Sequence, residues 1–230
     1  MKTPLISLVC LCFAYAGFGQ WSIGPKVSFG TIVQTSEDIR IIPFSNERPP
    51  NITFIGGGTV KSVGFMLQNS LGHGFLQIEG LGTAYSLQFS SEDQLRSTAE
   101  PTMHNEDHVI FELPISAGFR IKNFKIGAGP LLEFKLSKDS ELESISRYED
   151  TSRNFNTGAQ GLVGYKVGKF DIDLRYVYRF SSIVDDFAIG HDILKLNRSA
   201  NRLTLSFGMS FGKPKVKEEL PEEELLPLAY

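Results

Sequence analysis

Histidine is the side chain that most often supplies a metal ligand or a general base near neutral pH, so the histidines are the first candidates for a chemical role. They are His73, His104, His108 and His191. His104 and His108 lie close to Glu106 and Asp107, but this spacing matches no common zinc or calcium site. We therefore predict that the histidines are solvated residues of turns and loops, with no bound metal and no cofactor.

Nucleophilic hydrolysis requires a serine, a histidine and an acid that regular elements hold in contact. None of the histidines lies well inside a predicted strand, so the sequence assembles no such set. The glycine run at 56–58 is not followed by the lysine–serine pair of a phosphate-binding loop. The sequence therefore predicts no catalytic residue, and we do not expect an enzyme.

Charged side chains instead recur at every second position of otherwise apolar segments. From Trp21 to Phe29 the odd positions are mostly apolar, whereas the even positions are small or charged, as at Lys26. A period of two is typical of β-strands that have one apolar face. The same pattern returns seven more times along the chain, which predicts a protein built from strands.

One of these segments is irregular. Gln77 and Glu79 share their parity with Leu81, so polar and apolar side chains would point to the same face of this strand. A β-bulge adds one residue and reverses the facing of everything after it. We therefore predict a bulge near Gly80 or Gly82.

Short and long connections alternate strictly between these segments. The short ones fall near residues 69–74, 122–123 and 168–169, and the long ones near residues 34–58, 90–107, 137–154 and 181–200. Segments of about ten residues match the length that a tilted strand needs to cross a bilayer. The sequence thus predicts an all-β fold, an eight-stranded antiparallel up-and-down transmembrane β-barrel with short periplasmic turns and four outer loops.

The polar face decides whether the barrel is a membrane barrel or a soluble one, because a soluble barrel turns its apolar face inward. Glycines such as Gly127 and Gly129 lie on the polar face, where they make room for large charged neighbours inside a narrow barrel. We therefore predict a charge network in the lumen and no open pore; a small polar cavity or a proton path is the alternative. The predicted network comprises Lys26, Glu79, Glu112, Arg120, Lys125, Glu133, Lys135, Lys166, Asp171, Asp173, Arg175, Arg179 and Arg202.

The two ends of the chain differ in composition from the barrel, which is predicted to span residues 20–212. Lys2, a short apolar run and small residues predict a signal peptide over residues 1–19, with cleavage after Gly19 or, as a second candidate, after Ala16. Both cysteines lie in that segment, so the mature chain is predicted to lack thiol chemistry. Residues 213–230 combine glutamates with prolines and predict an acidic, flexible periplasmic tail.

Several segments resemble the PorT-like outer-membrane β-barrel family of Bacteroidetes. The resemblance is carried by residues 23–28 (Ile-Gly-Pro-Lys-Val-Ser), 111–115 (Phe-Glu-Leu-Pro-Ile), 127–130 (Gly-Ala-Gly-Pro), 173–176 (Asp-Leu-Arg-Tyr) and 205–211, within residues 20–212. It implies a bacterial outer-membrane location, and the family's named member is linked to type IX protein secretion. Phe211 matches the aromatic residue at which such barrels often end and which looks like an assembly signal, although here the chain continues beyond it.

We therefore expect an outer-membrane protein with a non-enzymatic structural or interaction role that presents four extracellular loops. The alternatives are an accessory subunit of a secretion or envelope-assembly machine and a small-solute channel. The expected partners are outer-membrane lipid, the barrel-assembly machinery, and a periplasmic or extracellular protein. A formal net charge of −3 and the absence of a basic stripe argue against a nucleic-acid partner.

Overall fold

A computed structural model describes most of the predicted barrel segment. It covers residues 20–33, 51–92, 101–141, 148–150, 154–180, 187–189, 192–194 and 201–212. The predicted signal peptide (1–19), the predicted tail (213–230) and His191 lie outside the described residues. No helix among the described residues is long and apolar enough to cross a membrane.

The described residues are almost entirely in strands. In chain order these are β1 (Gln20–Val33), β2 (Asn51–Leu71), β3 (Gly74–Glu92), β4 (Thr102–Ile121), β5 (Phe124–Ser140), β6 (Tyr148–Asp150), β7 (Phe155–Val167), β8 (Phe170–Arg179), β9 (Phe187–Ile189), β10 (Asp192–Leu194), β11 (Asn201–Met209) and β12 (Phe211–Gly212). Their order in the main sheet is β11-β8-β7-β5-β4-β3-β2-β1-β12.

The main sheet closes on itself, because β11 also pairs with β1. The short β12 continues β11 after Ser210 and pairs with Ser22 and Ile23 of β1. The ring therefore has eight strands, all paired antiparallel, and the predicted eight-stranded antiparallel β-barrel is confirmed. Closure gives each strand of the ring two neighbours, although residues 51–57 of β2 and 137–140 of β5 pair with one neighbour only.

Two-residue turns join the hairpins at one end of the barrel. Gly72, Lys122 and Gly168 each have a positive φ, between 55° and 60°, at the first central position of these turns. Positive φ values there are typical of the tight turns whose twist matches that of antiparallel strands. The three short connections fall where the sequence predicted them, and Lys122 occupies a conformation that usually favours glycine.

Burial alternates along the barrel strands as the period of two predicted. Outward-facing apolar side chains are well exposed, with Phe65 at 65%, Ile126 at 60% and Leu174 at 48%. Inward-facing charged side chains are shielded, and Lys26 is 0% exposed. The polar face therefore lines the interior of the barrel, and the apolar face forms its outer wall.

The predicted bulge near Gly80 or Gly82 is wrong. The register between β3 and β4 continues without a shift from Ile78 to Leu81, and the odd positions of β3 point inward throughout. Leu81 and Tyr85 are consequently buried in the interior, together with Glu79. The interior accepts apolar side chains here because an eight-stranded barrel is just filled by its own residues, whatever their polarity.

The barrel strands are longer than the sequence predicted, and the long connections are shorter. β4 begins at Thr102 and β5 ends at Ser140, both well inside the predicted loops. The alternation fades there because the outward-facing residues, such as Asp107 and Asp139, are polar and exposed. We use "apolar band" for the outward-facing residues between the two-residue turns and the level of Phe29, Val109 and Leu136.

Strands are also present within the third and fourth long connections, which the sequence predicted as loops. β6, β9 and β10 form a separate three-stranded sheet in the order β10-β9-β6. Because β6 follows β5 and β9 follows β8, this sheet pairs one long connection with the other.

Candidate functional site: the charged interior of the barrel

The predicted network residues all occupy inward-facing positions of the barrel strands. Ten are buried, namely Lys26, Glu79, Glu112, Lys125, Glu133, Asp171, Asp173, Arg175, Arg179 and Arg202. The remaining three, Arg120, Lys135 and Lys166, are half-buried. Charges removed from water need partners, so the contacts between these residues decide whether the interior is stable.

A first group, the lower cluster, lies towards the two-residue turns and consists of Lys26, Glu79, Lys125, Asp173 and Arg175. Lys26 Nζ lies 2.9 Å from Glu79 Oε1 and 2.7 Å from Asp173 Oδ2. Lys125 Nζ lies 2.8 Å from Asp173 Oδ1, and Arg175 pairs with Glu79. Each carboxylate is thus shared between two cations that come from different strands.

Asp171 extends the lower cluster towards the turn end of the barrel. Its carboxylate contacts Lys125 Nζ at 3.2 Å and Lys166 Nζ at 3.3 Å. Lys166 also donates a hydrogen bond of 2.7 Å to Ser210 Oγ. Gln77, which is not part of the predicted network, donates to Glu79 and accepts from Lys125 at 3.1 Å.

A second group, the upper cluster, consists of Glu112, Glu133, Arg179 and Arg202. Arg179 Nε lies 2.6 Å from Glu133 Oε2, and Arg202 pairs with both carboxylates. Glu112 and Glu133 are directly opposite each other on β4 and β5, so Arg202 offsets a repulsion that would otherwise weaken this strand pair. The cluster balances two cations against two carboxylates.

Tyr85 forms the apolar side of the upper cluster, although the sequence gave it no role there. Its hydroxyl accepts a hydrogen bond of 3.2 Å from Arg179 Nη1. The guanidinium carbons of Arg179 and Arg202 lie 5.3 and 5.8 Å from the centre of its ring, within cation–π range. Tyr85 shares the odd numbering of Gln77 and Glu79, so the sequence could have placed it in the interior with them. The predicted bulge after Glu79 instead turned Tyr85 to the outer face.

A third group, the outer cluster, consists of Glu106, His108, Lys138 and Ser140, beyond the apolar band. Glu106 Oε1 lies 2.7 Å from His108 Nε2. The other carboxylate oxygen lies 3.2 Å from Lys138 Nζ and accepts a hydrogen bond of 3.0 Å from Ser140 Oγ. The prediction that His108 is a solvated loop residue is therefore wrong, because β4 begins before it and turns its side chain inward.

The other histidines differ from His108. His104 also lies on β4 rather than in a loop, with a half-buried side chain that makes contacts of its own. His73 is exposed in a two-residue turn, as predicted. Within the described residues, no group of three or more His, Cys, Asp and Glu side chains is arranged to hold a metal ion.

The outer cluster has an acid and an imidazole but not the geometry of a hydrolase. The Ser140 hydroxyl contacts the Glu106 carboxylate rather than the imidazole, whereas a serine nucleophile needs contact with its base. The face of the His108 ring stacks on the Tyr85 ring, with centroids 4.9 Å apart and an interplanar angle of 12°. This stacking joins the outer cluster to the upper cluster through Tyr85.

The electrostatics of Glu106 follow from these contacts. Burial raises the pKa of its carboxyl, but the hydrogen bond from His108 and the positive charge of Lys138 more than compensate. The pKa of Glu106 is therefore below its ordinary value. The carboxylate form is the one that the folded barrel stabilises.

The fold and the interior define the class of molecule: an eight-stranded antiparallel β-barrel whose lumen is crossed by buried ion pairs. No family model and no curated protein matches the chain. Among solved structures, it is similar to the outer membrane channel DcaP of Acinetobacter baumannii, with 11% identity, 84% of this chain and 72% of that chain covered, and a TM-score of 0.24. A similarity at this level distinguishes neither fold nor function.

The space for the Lys125–Asp173 pair depends on Gly164, and this generates a first prediction. A Cβ at Gly164 would collide with Asp173 Oδ1 and with Lys125 Cε. We expect Gly164→Val to lower the free energy of unfolding by about 2 kcal/mol, because it overfills the interior and separates the pair. The measurement is denaturant unfolding of the detergent-solubilised protein, followed by the fluorescence of Trp21.

The control is the same substitution three residues earlier in β7. A Cβ at Gly161 has no neighbouring atom within 4 Å, so Gly161→Val should change the free energy of unfolding by no more than about 0.5 kcal/mol. Equal effects at the two positions would mean that β7 resists any valine and that the ion pair does not depend on the glycine.

The lowered pKa of Glu106 generates a second prediction. A carboxyl whose pKa is lower in the folded state contributes stability above its unfolded pKa and loses that contribution as pH falls through the folded pKa. We expect Glu106→Gln to be less stable than the native protein at neutral pH. The two should converge as the solution is acidified below the ordinary carboxyl range, measured by unfolding at a series of pH values. A constant difference at all pH values would contradict the ionised pairing.

Proposed function

We propose that the chain is an outer-membrane β-barrel protein with a non-enzymatic structural or interaction role. The observation that carries the proposal is the apolar band, a ring of exposed aromatic and aliphatic side chains on the outer wall. Phe119, Phe124 and Phe170 are 67%, 63% and 55% exposed near its turn end. At the opposite edge, Phe29 and Phe180 are 56% and 65% exposed.

The cost of exposing this band to water supports a lipid environment. Burying one large apolar side chain contributes about 1.5–3 kcal/mol, and the band contains many such residues. Soluble monomers rarely expose contiguous apolar patches of more than a few hundred Å². Aromatic residues at both edges correspond to the girdles that membrane barrels place at the two interfaces.

The backbone and the interior are compatible with the same environment. In lipid every backbone polar group needs an internal partner, and at the level of the apolar band the closed antiparallel ring gives each strand a neighbour on both sides. The charged residues of the lower and upper clusters are shielded inside and paired with one another. An inverted soluble barrel would have the opposite distribution of charge.

The interaction role is supported by the end of the barrel that carries the long connections. There β4 and β5 continue beyond the apolar band with polar outward-facing residues such as Asn105, Asp107 and Asp139. The sheet formed by β6, β9 and β10 pairs two of the connections at this end. We infer that the barrel wall projects outwards from the membrane and presents the four long connections as a surface for a partner.

Two further functions are candidates. An accessory role in secretion or envelope assembly is favoured by the resemblance to PorT-like barrels and by the glutamate-rich residues 213–230, which lie outside the described residues. Loss of co-purifying proteins after removal of residues 213–230 would favour this role over display by the long connections. A small-solute channel is disfavoured, because ion pairs between different strands cross the lumen at two levels.

A charge placed on the outer wall tests the membrane location. Leu174 lies in the middle of the apolar band, and we expect Leu174→Arg to cost about 2–4 kcal/mol for a barrel folded in lipid vesicles. Gln88→Arg is the control, because Gln88 is exposed and faces outward beyond the band. This control should change the unfolding free energy by at most about 0.5 kcal/mol. Equal and small effects of the two arginines would indicate that water surrounds the band.

Conductance tests the channel alternative. We expect the purified protein to insert into planar bilayers without discrete conductance steps, because Lys26–Asp173 and Arg202–Glu133 cross-link the lumen. A general porin in the same bilayer provides the positive control for insertion and recording. Regular, reproducible steps from the native protein would make the channel function the better proposal.

A further inference from the structure

Three polar residues, Gln68 and Ser70 of β2 and Arg120 of β4, occupy inward-facing positions at the end of the barrel with the two-residue turns. We call this group of residues the mouth pocket. Arg120 is held in place at both ends. Its backbone N–H donates to the carbonyl oxygen of His73 at 2.6 Å, and its Nη1 donates to Ser70 Oγ at 3.4 Å.

Arg120 differs from the other arginines of the interior. Arg175, Arg179 and Arg202 each pair with a carboxylate, whereas Arg120 has no salt bridge to an acid among the described residues. Its Nε and Nη2 atoms are shielded from solvent and have no hydrogen-bond partner there. These two N–H groups form one edge of the guanidinium, the edge that binds a carboxylate or phosphate through two parallel hydrogen bonds.

Gln68 is a second, independent observation at the same place. It lies two residues before Ser70 on the same inward face of β2, and it is only 1% exposed. Both its amide oxygen and its amide nitrogen lack a partner among the described residues. Buried polar groups in native proteins nearly always have partners. An unpaired amide two residues from Ser70, to which the guanidinium of Arg120 donates, therefore points to a polar ligand at this level of the barrel.

The local charge specifies the sign of that ligand. Arg120 is directly opposite Lys125 across β4 and β5, and like charges in this arrangement weaken a strand pair. The carboxylates that neutralise Lys125, from Asp171 and Asp173, make no salt bridge to Arg120. The turns at this end add Lys122 and Lys169, both exposed. The positive charge at Arg120 is therefore in excess.

We propose that the mouth pocket binds an oxyanion, a carboxylate or a phosphate group, side-on to the Nε–Nη2 edge of Arg120. The Gln68 amide supplies a further donor. This site goes beyond the proposed role of the barrel and does not depend on its location, because the pocket belongs to the interior. An oxyanion here would satisfy the guanidinium edge and neutralise the charge that faces Lys125.

The oxyanion has two sources, a free anion or a carboxylate of the chain itself. Gly212 pairs with Ser22, and Ser22 pairs with Gln68, so the chain leaves the barrel two strand spacings, about 10 Å, from the pocket. Six extended residues reach about 20 Å, which brings Glu218 within range. The glutamates of residues 218–224 lie outside the described residues, so the experiment must separate the two sources.

The test measures the thermal unfolding of the full-length protein in detergent, with inorganic phosphate replacing chloride at constant ionic strength. We expect saturating phosphate to raise the Tm by about 3 °C. Arg120→Lys keeps the positive charge but cannot form the bidentate pair of hydrogen bonds, so it should abolish this rise in Tm. Lys122→Asn is the matched control, because it removes a nearby cation from an exposed turn and should keep the rise.

A second full-length variant identifies the source, with glutamine at positions 218, 219, 222, 223 and 224. If phosphate stabilises the native protein, the ligand is a free anion; if it stabilises only the glutamine variant, a glutamate of the chain occupies the pocket. Either result supports the site when the Arg120 Nε–H resonance, followed by NMR, shifts on binding. The proposal is overturned if phosphate stabilises neither protein, or stabilises Arg120→Lys as much as the native chain.

Discussion

Mutual neutralisation of charges inside a narrow cylinder is the constraint on which the rest of this structure depends. Removing an ion from water costs several kcal/mol, and deleting one partner of a buried pair is more damaging than replacing both. Lys26, Asp173 and Glu79 illustrate the requirement, because each of them contacts an opposite charge from another strand. These pairs join strands that are not neighbours in the sheet, so they form only when the ring is closed in its correct register.

The three clusters lie at different levels along the barrel axis and differ in composition. The lower and upper clusters combine lysines, arginines and carboxylates in tight pairs, whereas the outer cluster contains His108 and lies beyond the apolar band. Tyr85 connects two of them by accepting from Arg179 and stacking on His108. Buried aliphatic side chains such as Leu81 and Leu131 separate the ionic groups of the interior, and its imidazole, that of His108, lies towards the end with the long connections.

Much of this fold could be predicted from the sequence, because a period of two survives wherever one face is apolar. The strand count, the positions of the tight turns and the parity of residues such as Lys26 and Arg202 follow from that period alone. The prediction failed where the period carries no information. Beyond the apolar band both faces of β4 are polar, so its first residues and His108 looked like a loop. On β3 the apolar side chains of Leu81 and Tyr85 face inward. In the sequence this change from polar to apolar residues on one face looks like the change of facing that a bulge produces. The partners in the ion pairs could not be predicted, because they depend on the register between strands around the ring. The pattern along a single strand does not contain this register.

The contact between Lys26 and Asp173 joins residues 147 positions apart in the chain. The ammonium group on β1 gains its first counter-ion, Glu79, from β3, whereas its second counter-ion lies on β8, much later in the chain. In a barrel assembled hairpin by hairpin from its first strand, the contact of Lys26 with Asp173 would form only near the end, and contacts between such distant residues slow folding. Ring closure consequently completes the charge compensation of Lys26 that β3 begins, because the second carboxylate is carried by β8, the neighbour of the closing strand β11.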